Sequence, residues 1–114
     1  MKKLILIIAL LISSMAFAQS FRPPQNGNVN IPAAGATDRT QMPELEVYSC
    51  TFLSPTTNAG AIYIGGHTVT NAAGTNRGIK LAVGQSLSNI SVTNLNQIFV
   101  AADAANDDVS WICN

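Results

Sequence analysis

From Pro43 onward the apolar positions of this chain recur every second residue, not every third or fourth. Leu45–Leu53 (LEVYSCTFL) alternates, placing Tyr48, Cys50 and Phe52 on one face. Alternation of this kind predicts a strand with one buried side. Ser54–Gly60 (SPTTNAG) reads as a turn from its proline, asparagine and glycine. Ala61–Gly66 (AIYIGG) predicts a short strand that runs into the loop HTVTNAAGTNRG. In Gly78–Gly84 (GIKLAVG), Ile79, Leu81 and Val83 share one side and Lys80 takes the other. Ser88–Val92 and Gln97–Ala101 predict two more strands around a turn at Asn94, and DVSWICN closes the chain with Val109, Trp111 and Cys113 on one face. No segment past the leader has a helical apolar period. The expected fold is all-β, a small antiparallel β-sandwich or barrel of about five to seven short strands.

The two ends of the remaining sequence read differently. Residues 1–18 begin with Lys2 and Lys3, continue through the apolar run Leu4–Ile12, and finish in small residues. Ala16 and Ala18 fit the positions before an A-x-A cleavage site, so cleavage is expected after Ala18. A membrane anchor is the competing reading, but the apolar run falls short of the roughly 20 residues that span a bilayer. The expectation is a signal peptide, export by the secretory route, and no membrane association after cleavage. Residues 19–42 (QSFRPPQNGNVNIPAAGATDRTQM) are polar and lack sustained periodicity. They read as an extended arm with one short strand at Asn28–Ile31, either ordered by a neighbouring subunit or a simple linker. The expected organisation is therefore leader 1–18, arm 19–42 and β-domain 43–114.

Charge narrows the function classes. Without Lys2 and Lys3 four basic residues remain, Arg22, Arg39, Arg77 and Lys80, against six acidic ones. They form no tract, which disfavours binding by phosphate neutralisation, and no nucleic-acid partner is expected. The two cysteines, Cys50 and Cys113, lie in the exported part. An even count in an oxidising compartment reads as one disulfide, with two buried free thiols as the alternative. The bond would close a loop of about 63 residues, which chain entropy values at roughly 4 kcal/mol.

Candidate chemistry is sparse. His67, the only histidine, follows Gly65 and Gly66. A catalytic imidazole needs a nucleophile or an orienting carboxylate, and the sequence identifies neither, so an exposed loop position is expected. Asp103–Asp108 (DAANDD) gathers three carboxylates without the spacing of a calcium loop, and reads as a solvated hairpin tip. Asn89-Ile90-Ser91 matches a glycosylation acceptor by a pattern short enough to arise by chance. Gly65, Gly66, Gly78 and Gly84 are expected at turns, and the glycines show no nucleotide-binding spacing. No cofactor, metal site or catalytic residue is expected.

The run from Ala61 to Trp111 resembles a β-module of small tailed-phage virion proteins, the accessory parts of heads and tails. The matching residues are Tyr63, Gly65, Gly66, Val69, Thr70, Gly78, Leu81, Gly84, Asn94, Leu95, Ile98, Phe99 and Trp111. The resemblance covers about half the exported chain and implies a non-enzymatic structural role without catalysis. The leader and the cysteine pair depart from that pattern. The leading expectation is a structural or surface-display protein that associates with itself or with a larger protein shell. The alternative is an exported bacterial module that binds a glycan or partner protein through the Thr56–Asn58, His67–Asn76 and Asp103–Asp108 loops. A hydrolase stands third and lacks an identified acid–base pair.

Overall fold

The computed structural model describes residues 23–74 and 76–114. The leader, the cleavage point after Ala18 and the first residues of the expected arm lie outside the described residues. The rest is an all-β sandwich of two four-stranded antiparallel sheets. In chain order the strands are β1 (Gln25–Ile31), β2 (Thr40–Gln41), β3 (Ser49–Leu53), β4 (Ile62–Gly65), β5 (Ile79–Leu81), β6 (Ser86–Ser91), β7 (Phe99–Ala102) and β8 (Asp107–Cys113), with a 3-10 turn at Leu95–Gln97. The first sheet has the order β1-β8-β3-β6 and the second β2-β7-β4-β5.

Side-chain alternation builds the core between them. From the first sheet come Ile31, Cys50, Phe52, Val109 and Cys113; from the second come Ile62, Ile64, Leu81, Val100 and Ala102. Met42, Val47, Leu95 and Ile98 complete the core from outside the strands. Trp111 packs at its margin, directly opposite Gly27 of β1 and Phe52 of β3. The indole lies so close over Gly27 that a Cβ there would come within 2.7 Å of the ring. A glycine in mid-strand thus marks a close approach.

Cys50 and Cys113 are bonded, as the even cysteine count predicted. They stand directly opposite one another on β3 and β8, with Cα atoms 4.1 Å apart. Beside them the Asn114 amide donates to the Ser49 carbonyl. That bond puts the cysteines at a non-hydrogen-bonded position of the ladder, where opposed side chains come closest.

Several expectations are corrected. The arm over 19–42 does not stand apart from the β-domain: β1 pairs with the full length of β8, and β2 pairs with β7. The sandwich therefore begins at Gln25, not Pro43, and has eight strands rather than five to seven. Tyr48 is 67 % exposed instead of sharing the face of Cys50 and Phe52. The strand starts only at Ser49, and Val47 takes the buried position before it. Val83 is likewise exposed, because β5 ends at Leu81. The strand expected at Gln97–Ala101 starts at Phe99, its first residues being drawn into the 3-10 turn capped by Asn94.

Replacing both cysteines by alanine is expected to lower unfolding stability by roughly 4 kcal/mol, as the loop length implies. Chemical denaturation of the double variant beside the oxidised parent measures this difference.

Candidate functional site

The chemistry-bearing residues fall into two groups, of which the first is built from side chains that substitute for missing backbone partners. The first lies where β3 ends. Ser110 of β8 faces Leu53, the last residue of β3, and two residues earlier Asp108, paired with Asn30 of β1 on its other side, has no strand on the β3 side. The Asn58 side chain takes that place. Its Nδ2 donates to the Asp108 carbonyl at 2.8 Å and its Oδ1 accepts from the Asp108 amide at 2.8 Å. Asn58 Nδ2 also reaches the buried Ser54 hydroxyl at 3.1 Å. Next to it the buried Asp107 carboxylate accepts the amides of Ala59 at 2.8 Å and Gly60 at 2.9 Å. An anion held by two fixed amides is a strong local clamp.

The second group sits on the outer face of the second sheet. Ile62 and Ile64 point into the core, so Tyr63 points outward, where the 66–78 loop covers it. Val69 of that loop forms a small buried cluster with Tyr63 and Ala101 of the sheet. The Tyr63 hydroxyl donates to Asp103 at 3.0 Å and accepts from Arg77 at 3.0 Å. The Arg77 guanidinium carbon also stands 4.9 Å from the tyrosine ring centre, within range of a cation–π attraction. Arg77 donates further to the Asn71 carbonyl, and Asn71 Nδ2 ties the loop to the carbonyls of Ala34 and Ala102. Burial and the hydrogen bond to Asp103 push the Tyr63 hydroxyl above its ordinary value, with Arg77 opposing. A phenol held protonated in this way is no base at neutral pH. The cluster acts as a latch that holds the loop against the sheet.

His67 takes no part in either group. The strand IYIG ends at Gly65, and a turn follows in which the Val69 amide donates to the Gly66 carbonyl. His67 is exposed in this turn, and its carbonyl accepts from Arg39. Gly78 returns the chain at φ +70°, and a Cβ there would lie 2.3 Å from the Ile64 carbonyl oxygen. Gly84 also has a left-handed φ of +83°, whereas Gly65 and Gly66 do not.

The three carboxylates of DAANDD diverge. Asp103 meets Tyr63, Asp107 meets two amides, and Asp108 accepts from Asn30. Among the described residues no three His, Cys, Asp or Glu side chains gather into a set that could hold a metal ion. Asn89 is exposed with a left-handed φ of 62°, at the irregular stretch of β6.

Sequence reasoning missed the Tyr63–Asp103–Arg77 latch and the Asn58–Asp107 clamp. A faint signal for the first exists in Ile62-Tyr63-Ile64, where large apolar bodies occupy both faces of one strand. Such a run implies cover on each side. The clamp has no local signal, since its partners lie 47 to 50 residues apart. Among the described residues no helix is long and apolar enough to cross a membrane. That observation and the disulfide are compatible with an exported protein.

Two outcomes test these roles. Asp107→Ala leaves two amides without their acceptor and is expected to cost roughly 2–4 kcal/mol in denaturant unfolding. His67→Ala is expected to stay within about 0.5 kcal/mol of the parent. Separately, a Tyr48→Phe background leaves Tyr63 as the only tyrosine. Its phenolate absorbance is expected to appear above the ordinary tyrosine range near pH 10. Because the folded value is raised, the stabilisation is complete below the unfolded value and is lost as pH rises through the folded one. Melting temperature followed into alkali checks that sign.

Comparison with known proteins returns no match: no family model, no curated protein and no solved structure aligns with this chain.

Proposed function

We propose that the exported chain is a non-enzymatic structural or surface-display protein that packs its sandwich into a larger assembly of itself or of a protein shell. One observation carries this reading, the outer face of the first sheet. Strand alternation puts Asn26, Asn28 and Asn30, Ser110 and Ile112, Ser49, Thr51 and Leu53, and Ser86 and Ser91 on that face. Asp108 is the single charged residue among these strands' outward positions, and Asn30 already bonds it. Leu53 and Ile112 are 39 % and 49 % exposed and line a shallow groove together with Thr51, Ser86, Ser110 and Trp111. A broad face with a single charged residue and exposed aliphatic side chains suits burial against another protein. The resemblance of Ala61–Trp111 to phage virion modules supports the same reading, as does the use of each candidate carboxylate in a structural contact.

A second reading has one observation in its favour. The His67–Asn76 and Asp103–Asp108 loops are braced side by side: Asn71 bonds the carbonyl of Ala102, the residue before Asp103, and Asp103 shares the Tyr63 hydroxyl with Arg77, the residue after Asn76. Loops braced in this way could present a preformed surface to a glycan or a partner protein. Such a module would be a monomer with a ligand.

Fractionation of producing cells into soluble, periplasmic and sedimentable material separates the two. The structural reading expects the chain in the particle fraction at high copy number. Leu53→Asp with Ile112→Asp should reduce that association at least about tenfold while leaving the fold intact, since each lost burial is worth more than 1.4 kcal/mol. A soluble monomer in every fraction overturns the structural reading and favours the loops.

A further inference from the structure

The two sheets have four edges, and three of them are shaped against pairing with another strand. β2 is only two residues long. β5 is three residues long and carries the exposed Lys80. β6 is interrupted by a register shift opposite Cys50 and Phe52, with Asn89 at φ 62°. Shortness, lysine and bulges are the devices by which sheets avoid edge-to-edge association. β1 has none of them. It is seven residues long, pairs with β8 in unbroken register, and its sequence QNGNVNI holds no charge and no proline.

Its free hydrogen-bonding groups follow from the register. The Cys50–Cys113 pair does not exchange backbone hydrogen bonds, so the Cys113 amide and carbonyl turn toward β1. Gln25, Gly27, Val29 and Ile31 therefore bond β8. The Ile31 carbonyl agrees with this direction, since it accepts the Asn106 amide on the β8 side. The amides and carbonyls of Asn26, Asn28 and Asn30 consequently point away from the sheet, and no strand lies beyond them among the described residues.

We infer that β1 is the self-pairing edge of the molecule, and that a second copy's β1 adds to it antiparallel about a two-fold axis at Asn28. In that register Asn28 faces its own copy and Asn26 faces Asn30, so the three outward residues form hydrogen-bonded pairs with about six backbone bonds. The first sheets of two molecules become one continuous sheet. A second copy fits this edge for two reasons. An uncharged strand meets no like-charge repulsion from itself. Asparagine amides both donate and accept, so a face of asparagines is complementary to its own image. The inference deepens the assembly reading by naming a contact, and rests on that reading for its biological use.

Sedimentation of the purified chain over a concentration series tests it, together with hydrogen exchange at single residues. The expected result is a concentration-dependent doubling of mass. In step with it, exchange at the amides of Asn26, Asn28 and Asn30 should slow at least about tenfold, while Gly27 and Val29 are unchanged. Asn28→Pro removes an outward N–H that the fold does not use, and Asn28→Lys places two ammonium groups across the axis. Both should abolish the dimer with circular dichroism and melting at low concentration unaltered. A dimer that persists in both variants overturns edge pairing but leaves the structural reading in place. A monomer at every concentration overturns edge pairing, and particle association then decides the structural reading separately. Protection of the three amides only on adding another protein assigns the edge to a different chain and overturns self-pairing.

Discussion

β8 is the strand on which the first sheet depends. It lies between β1 and β3, pairs with β1 along its whole length and with β3 from Ser110 to Cys113, and ends in the cysteine that is covalently joined to β3. Asp107, Val109 and Cys113 on its inner face are all nearly inaccessible to solvent, and Asp107 continues the strand's influence into the 59–60 loop through two amides. Without β8, β1 has no neighbour and Asn58 has no strand to complete. The single disulfide therefore joins the strand that organises half of the molecule to the one that crosses its core through Phe52.

A second regularity is the use of side-chain amides and carboxylates as backbone substitutes. Where β3 stops short, Asn58 supplies a donor and an acceptor in the position of the missing strand. Near the 3-10 turn, Asn94 Oδ1 accepts the amides of Leu45 and Asn96, and Gln97 Oε1 accepts those of Thr93 and Asn94. Each otherwise orphaned peptide group acquires a partner without a charge being buried alone. A chain of short strands has many strand ends, and this explains why it carries so much asparagine and so few ionic residues.

Strands with one buried face were legible in the sequence, because period-two alternation reports that geometry directly. The phases of Cys50–Phe52 and Val109–Cys113 were readable for this reason, and with them the disulfide. Of β1 only Asn28–Ile31 was read as a strand, because its outer positions are asparagines and its inner ones include Gly27, so little apolar signal remains beside Val29 and Ile31. Tyr48 misled because alternation continues in sequence beyond the point where the backbone leaves the ladder. The partners of the polar latch over Tyr63 were not legible: Arg77 and Asp103 lie 14 and 40 residues from Tyr63 and become its neighbours only when a loop folds over the second sheet.

The topology also imposes an order in time. A ribosome delivers β1 before the other described strands, yet its one neighbour among them, β8, starts about 75 residues after β1 ends, and the sulfur that Cys50 requires follows it by 63 residues. Until β8 has emerged, the first sheet is reduced to β3 with β6, which leaves Val29, Ile31 and Phe52 uncovered. Native pairings so distant in sequence form slowly. The nascent chain thus remains without its native first sheet until β8 has emerged.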